Sequence, residues 1–192
     1  MEKKFELTDK FVFNTFGIKL FQIKCTKSFK YAKEGDLGGY VEKDENLDQE
    51  SDAWVSGDAW VSGNAQVSGD AQVSGNARVS GNAWVYGDAR VYGNARVSGD
   101  AQVSGDAWVY GDADIENDNN HCGFDCFGSC NRHTHAYLTK DNKVEITCGC
   151  FRGSIEEFEK KVEKTHSGTI YEKQYKAIIN VIKIKFGLTD LI

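Results

Sequence analysis

No apolar run in this 192-residue chain approaches the roughly 20 residues that a helix needs to span a bilayer. Its opening residues, Met1-Glu2-Lys3-Lys4, are charged where a signal peptide would be apolar, so a soluble, cytoplasmic protein is expected. Basic charge is also in deficit. A formal net charge of -6 argues against bulk nucleic-acid binding or an anionic membrane partner, because neutralising phosphates takes a basic face. A third absence is local: residues 51–120 contain no histidine, cysteine or lysine. That stretch therefore lacks the imidazole on which general-base catalysis usually relies. Cysteines are present but unevenly placed, with Cys25 alone and Cys122, Cys126, Cys130, Cys148 and Cys150 close together. Without an export signal, reduced thiols or a metal site are expected in preference to disulfides.

What fills the histidine-free stretch is a repeat. From Ala53 the unit reads Ala-x-Val-(Ser or Tyr)-Gly-(Asp or Asn), with valine at 55, 61, 67, 73, 79, 85, 91, 97, 103 and 109 and Ile115 continuing the series. A period of six suits neither an amphipathic helix nor a heptad coil. It suits a triangular parallel β-helix in which valine and alanine face inward. The Gly-Asp or Gly-Asn pair then turns each corner, where positive φ is required, and three units close one coil, pairing with the next at about 4.8 Å.

The alternation of an aliphatic residue with a small one four places later, as in Val55 with Ala59 and Val61 with Ala65, resembles the hexapeptide-repeat proteins. The resemblance implies a left-handed coil, against the usual crossover rule. It also implies trimers, and in many members an acyltransferase with a catalytic histidine and an acyl donor between subunits. This chain departs from them in having no histidine and no inserted loop in its coils, which leaves a degenerate acyltransferase as one alternative.

A coil of three hexads stacks residues 18 apart, which sorts the outward side chains into faces. The first carries Trp54, Gln72, Arg90 with Tyr92, and Trp108 with Tyr110; the second Trp60, Arg78, Arg96 and Asp114; the third Gln66, Trp84 with Tyr86, and Gln102. Exposed aromatic residues beside arginine mark interface centres, although tryptophan and tyrosine are also simply good strand formers. The first face is the expected contact surface, with a homotrimer as the favoured assembly. One corner is acidic throughout, with Asp52, Asp70, Asp88 and Asp106 stacked. Such a ladder offers a cation oxygen ligands, or reflects the suitability of aspartate for turns.

The exposed strand edges at the ends of a solenoid need covers. Residues 1–51 are expected to form an N-terminal β cap, with strands at Phe5–Leu7 and Ile18–Cys25. Val41 and Leu47 fall six apart, and a two-residue excess before Val55 suggests an irregular first coil. Residues 52–118 form the repeat. Residues 119–192 are expected to fold as a ββαα module. A hairpin of Asn131–Tyr137 and Lys143–Phe151 turns at Asp141-Asn142, and two helices follow, with capping boxes at Ser154–Glu157 and Thr169–Glu172. Ile155, Phe158 and Val162, then Tyr171, Tyr175, Ile178, Ile179 and Ile182, supply the apolar stripes.

A two-residue turn in this hairpin would set His135 opposite Cys148 and His133 opposite Cys150, offering two imidazoles and two thiolates to one zinc, with Cys122, Cys126 and Cys130 upstream. Buried, inert thiols packed on the helices account for the same residues, as does a catalytic cysteine paired with His133, His135 or His166. No other cofactor is expected. The run Cys148-Gly149-Cys150-Phe151-Arg152-Gly153, with Glu157-Phe158 and Thr165-His166, resembles the tail of hexapeptide-repeat proteins encoded by phages and prophages. The leader Gly35-Asp36-Leu37-Gly38-Gly39-Tyr40-Val41 resembles theirs too. That resemblance implies an origin and supplies no catalytic residue. The expected function is a non-enzymatic phage accessory protein, an oligomeric scaffold that presents Trp54, Arg90, Tyr92, Trp108 and Tyr110 to a host protein or ligand, including in counter-defence. Sequestration of a nucleotide or other anion between subunits by Arg78, Arg96 and Arg90 is the alternative.

Overall fold

The computed structural model describes residues 2–188. The chain divides into two compact units, Met1–Asn117 and Asp118–Ile192. The first is a parallel β-solenoid with a β cap. Strands β1 (Phe5–Phe13), β2 (Lys19–Cys25) and β3 (Leu37–Val41) lead into the two-residue rungs β4 to β14. These are Trp54–Val55, Trp60–Val61, Gln66–Val67, Gln72–Val73, Arg78–Val79, Trp84–Val85, Arg90–Val91, Arg96–Val97, Gln102–Val103, Trp108–Val109 and Asp114–Ile115. The rungs form three sheets, ordered β4-β7-β10-β13, β6-β9-β12, and β5-β8-β11-β14 extended by β3, β2 and β1. Pairing is in register at one coil of 18 residues, Trp54 on Gln72 and Gln72 on Arg90.

Sequence dictates this closure twice over. Every valine of the series, and Ile115, is fully buried, worth roughly 1.5–3 kcal/mol each relative to exposure. At the corners the backbone must take positive φ and lie almost on the next coil. Gly69 has φ 68°, and a Cβ there would sit 2.9 Å from the backbone nitrogen of Gly87. A side chain at that corner is both strained and sterically refused. Asparagine adds a side-chain ladder: Asn64 Nδ2 donates to Asn82 Oδ1 at 3.2 Å, and Asn82 Nδ2 to Asp100 Oδ1 at 2.9 Å.

The cap continues the winding. Val41 pairs with Val61 and Leu47 bridges to Val67, a separation of 61 − 41 = 67 − 47 = 20, against 73 − 55 = 18 within the repeat. The two surplus residues are absorbed between Leu47 and Ala53. Buried Asn46 secures this segment, its Nδ2 donating to the carbonyls of Gly63 (3.1 Å) and Ala65 (2.8 Å). Buried Lys4 clasps the surplus loop itself. Its Nζ donates to the carbonyls of Asp48 (2.6 Å), Ser51 (2.7 Å) and Ala53 (2.8 Å). Burial lowers its pKa to about 8, so the ammonium is retained at neutral pH.

The second unit is a four-stranded antiparallel meander, β15 (His121–Phe127), β16 (Arg132–Leu138), β17 (Val144–Cys148) and β18 (Phe151–Ser154), followed by α1 (Ile155–His166) and α2 (Ile170–Lys185). Both helices pack on one sheet face through Ala136, Ile146, Ile155, Phe158, Val162, Tyr175, Ile178, Ile179 and Ile182. The expected ββαα order is thus corrected to four strands. Residues 121–127 add an edge strand, and the expected strand 143–151 is broken by a turn at Gly149-Cys150. Ser154 and Glu157 form the reciprocal box at α1. At α2 the Thr169 Oγ1 accepts from Glu172 N, while the Glu172 carboxylate accepts from Gly168 N instead of closing a box. Tyr171, expected in the apolar stripe, is 36% exposed. No helix among the described residues is long and apolar enough to cross a membrane.

Replacing Lys4 with methionine leaves three carbonyls of the surplus loop without their common donor. Unfolding by urea is expected to show a loss of about 3 kcal/mol.

Candidate functional site

On the first face, the column Trp54, Gln72, Arg90, Trp108 is built as the hexad register requires. The Arg90 guanidinium lies over the Trp108 ring, 5.2 Å from its centroid, within cation–π range. Two residues further along each coil, Tyr92 and Tyr110 meet with centroids 4.4 Å apart. Arg90 is exposed, while Trp108, Tyr92 and Tyr110 are half-buried. Trp54 corrects the expectation of four exposed tryptophans, being 5% exposed. Phe29 of the cap stands edge-on to it at 5.4 Å. Trp54, together with Tyr31, Leu37 and Gln72, lines a notch of about 320 Å³. The N-terminal segment therefore takes one end of this face for itself and leaves Arg90 as its exposed cation.

On the second face Arg78 sits over the half-buried Trp60 ring at 5.6 Å, and Arg96 pairs in register with Arg78 on one side and Asp114 on the other. On the third, Trp84 and Tyr86 are exposed, at 49% and 37%, between Gln66 and Gln102. The acidic corner is partly neutralised from the cap, where Lys30 Nζ lies 2.5 Å from Asp70 Oδ2. That pairing raises the lysine pKa. Lys30 and Phe29 carry no signal in the sequence, because nothing periodic marks which solenoid face a cap loop will cross. The cap also carries exposed aromatic residues, Phe13 and Phe16 at the β1–β2 turn being 64% and 83% exposed.

Residues 71–87 and 89–105 match the family model of the YdcK beta solenoid repeat. A β-solenoid repeat region is present. It is similar to those repeats over well under half of the chain, and the match does not extend to the cap or the second unit. No curated protein matches the chain.

In the second unit the expected pairing of histidines with cysteines is corrected by one residue. Thr139 N donates to Lys143 O and Asn142 adopts φ 55°, so the loop between the paired Thr139 and Lys143 holds three residues in place of two. Thr134 then faces Cys148, and His135 faces Thr147. Because side chains alternate across a strand, Cys148 falls on the helix side of the sheet, where Cys150 also lines a cleft. His133 and His135 fall on the opposite face. The four are not brought together, and among the described residues no group of three or more His, Cys, Asp or Glu side chains is placed to hold a metal ion.

What the register does assemble is a histidine row that includes His121, a residue with no partner visible in the sequence. His121 Nδ1 lies 3.0 Å from His135 Nε2, and its Nε2 is 3.4 Å from Asp118 Oδ1. His133 Nδ1 lies 2.6 Å from Asp125 Oδ1. Burial depresses the pKa of His121, against the Asp118 carboxylate, which acts to raise it. An imidazole with a depressed native pKa contributes full stability above its unfolded value of about 6.5. That contribution is lost as pH falls below this value, since the unfolded chain takes up the proton first. The melting temperature is therefore expected to fall as pH drops below about 6.5, and His121→Gln to flatten that dependence in a thermal-unfolding series.

Proposed function

We propose that this protein is a non-enzymatic binding scaffold, a phage accessory protein whose solenoid wall engages a host protein in the manner of a counter-defence factor. The single observation that carries the reading is the Arg90–Trp108 stack beside the Tyr92–Tyr110 pair. A cation held over an indole, flanked by two phenols on a rigid parallel wall, is the composition of a binding hot spot. Rigid walls lose little conformational entropy on association. Trp54 belongs to this face as a buried support for the cap. The coil is taken as left-handed and the assembly as a homotrimer of such walls, on the strength of the hexad resemblance. A catalytic role for the solenoid finds no support in a segment without histidine, cysteine or lysine.

A second reading has its own observation. Arg78 and Arg96 lie in register on adjacent rungs, with Arg96 exposed, which suits a nucleotide-like anion held against that wall.

Double substitution of Arg90 and Trp108 by alanine is expected to abolish capture of the partner from infected cells. It should lower the mass measured by light scattering if subunits meet through this wall. Retention of both partner capture and mass would end the first reading. For the second, nucleotides and cyclic dinucleotides at millimolar concentration should raise the melting temperature of the native protein but not of an Arg78→Gln/Arg96→Gln variant.

A further inference from the structure

The cleft on the helix side of the second unit has a composition at odds with the rest of the chain. Its volume is about 220 Å³, and its lining includes Cys130, Cys148 and Cys150, with Arg132, Lys161 and His166. No carboxylate lines it, although the protein carries a net charge of -6. Arg132 and Lys161 make no ion pair among the described residues. Two permanent cations and an imidazole thus line one cavity that holds no carboxylate among its lining residues. On the same helix pair, Lys183 is paired with Glu159 at 2.6 Å.

Beneath the cations the walls are apolar and aromatic. Phe151 and Phe158 rings are 5.0 Å apart, Phe158 stands edge-on to Tyr175 at 5.6 Å, and His166 lies against Tyr175 at 5.5 Å. The Tyr175 hydroxyl approaches Cys148 Sγ at 3.9 Å. Burial and the neighbouring thiol push its pKa up to about 12, so the hydroxyl stays protonated and neutral. Backbone shape keeps the cations over the cleft. Gly149 has φ 57°, and a Cβ there would collide with the Arg132 guanidinium, just as one at Gly128 would collide with the Tyr175 hydroxyl. The Cys148-Gly149-Cys150 turn is therefore the seat of Arg132, and glycine is the residue that lets it lie flat.

We propose that this cleft binds a small organic anion with one flat apolar ring. Its carboxylate lies between Arg132 and Lys161, and its ring rests against Phe151 and the cysteine thiols. The charge demand fits a carboxylate, which one guanidinium can hold bidentately while lysine supplies a second, point-like contact. The size demand follows from the volume, which is below the roughly 300 Å³ at which drug-sized sites begin. One ring and one charged group fill it.

The thiols make the site self-reporting. Cys130 and Cys150 are exposed and line the cleft, whereas Cys126 is exposed and outside it. Phenylacetate added to the intact protein at about ten times its Kd should slow iodoacetamide alkylation of Cys130 and Cys150 roughly tenfold, as mass action requires. The rate at Cys126 should not change. Acetate at the same concentration should protect neither, and Lys161→Gln, at an exposed helix position, should remove the protection by phenylacetate without altering the melting temperature. Arg132→Gln should act in the same direction. An acetylated dipeptide ending in phenylalanine distinguishes the source of the anion: protection by it assigns the cleft to a peptide carboxyl terminus, and protection by phenylacetate alone to a free acid. Absence of protection by either, equal protection by acetate, or equal slowing at Cys126 overturns the proposal.

Discussion

The solenoid exists because a valine can be buried every sixth residue only if the chain turns sharply in between, and the turn is available only to glycine. These two demands are coupled. Burial of the valine column draws successive coils to β spacing, and that spacing brings the corner backbones so close that a methyl group at Gly69 would strike the next coil. The inward column and the corner column therefore enforce each other, which leaves the wall position of each hexad free to vary. Tryptophan, glutamine, arginine and aspartate all occupy it without disturbing the ladder. Chemical variety is confined to a surface whose geometry is already settled, a favourable arrangement for presenting side chains at fixed spacing.

Periodicity also marks the limit of what can be read from residues alone. Within the repeat, counting by 18 placed Arg90 against Trp108 and Arg78 against Arg96, because every rung is specified by the same two columns. Even the irregular first coil was legible, since Val41 and Leu47 carry the hexad and the surplus of two before Val55 can be counted. Outside the repeat the signals become local. The helices were readable from their caps and apolar stripes, yet the hairpin before them depended on whether Asp141-Asn142 closed a loop of two residues or three. Asn142 tolerates the left-handed region that the longer loop needs, and no neighbouring residue decides between them. That single residue exchanges the faces of the sheet, moving His133 and His135 away from Cys148. Trp54 is buried for a reason outside the repeat. Its exposure depended on Phe29, which lies in a segment with no period to project.

On the proposed readings the two units separate two kinds of recognition. The solenoid offers aromatic and guanidinium groups on an open wall, suited to a macromolecular partner. The second unit places Arg132 and Lys161 at a small cavity and sets His121, His133 and His135 on the opposite side of the sheet. Arginine behaves differently in each setting. On the wall Arg90 rests on an indole, whereas Arg132 lies against the Gly149 backbone in a cleft that it shares with thiols and aromatic rings.

The asparagine ladder and the 18-residue pairing interval make the length of the solenoid a quantised property. Gain or loss of one full coil would return every wall residue to its original column and simply lengthen or shorten the prism. Gain or loss of a single hexad would rotate everything downstream by one third of a revolution, carrying Trp108 to a different wall from Arg90 while leaving the valine core undisturbed. Tandem duplication can therefore tune the reach of such a protein in steps of one coil, and a shorter slip would preserve its stability while scrambling its surface.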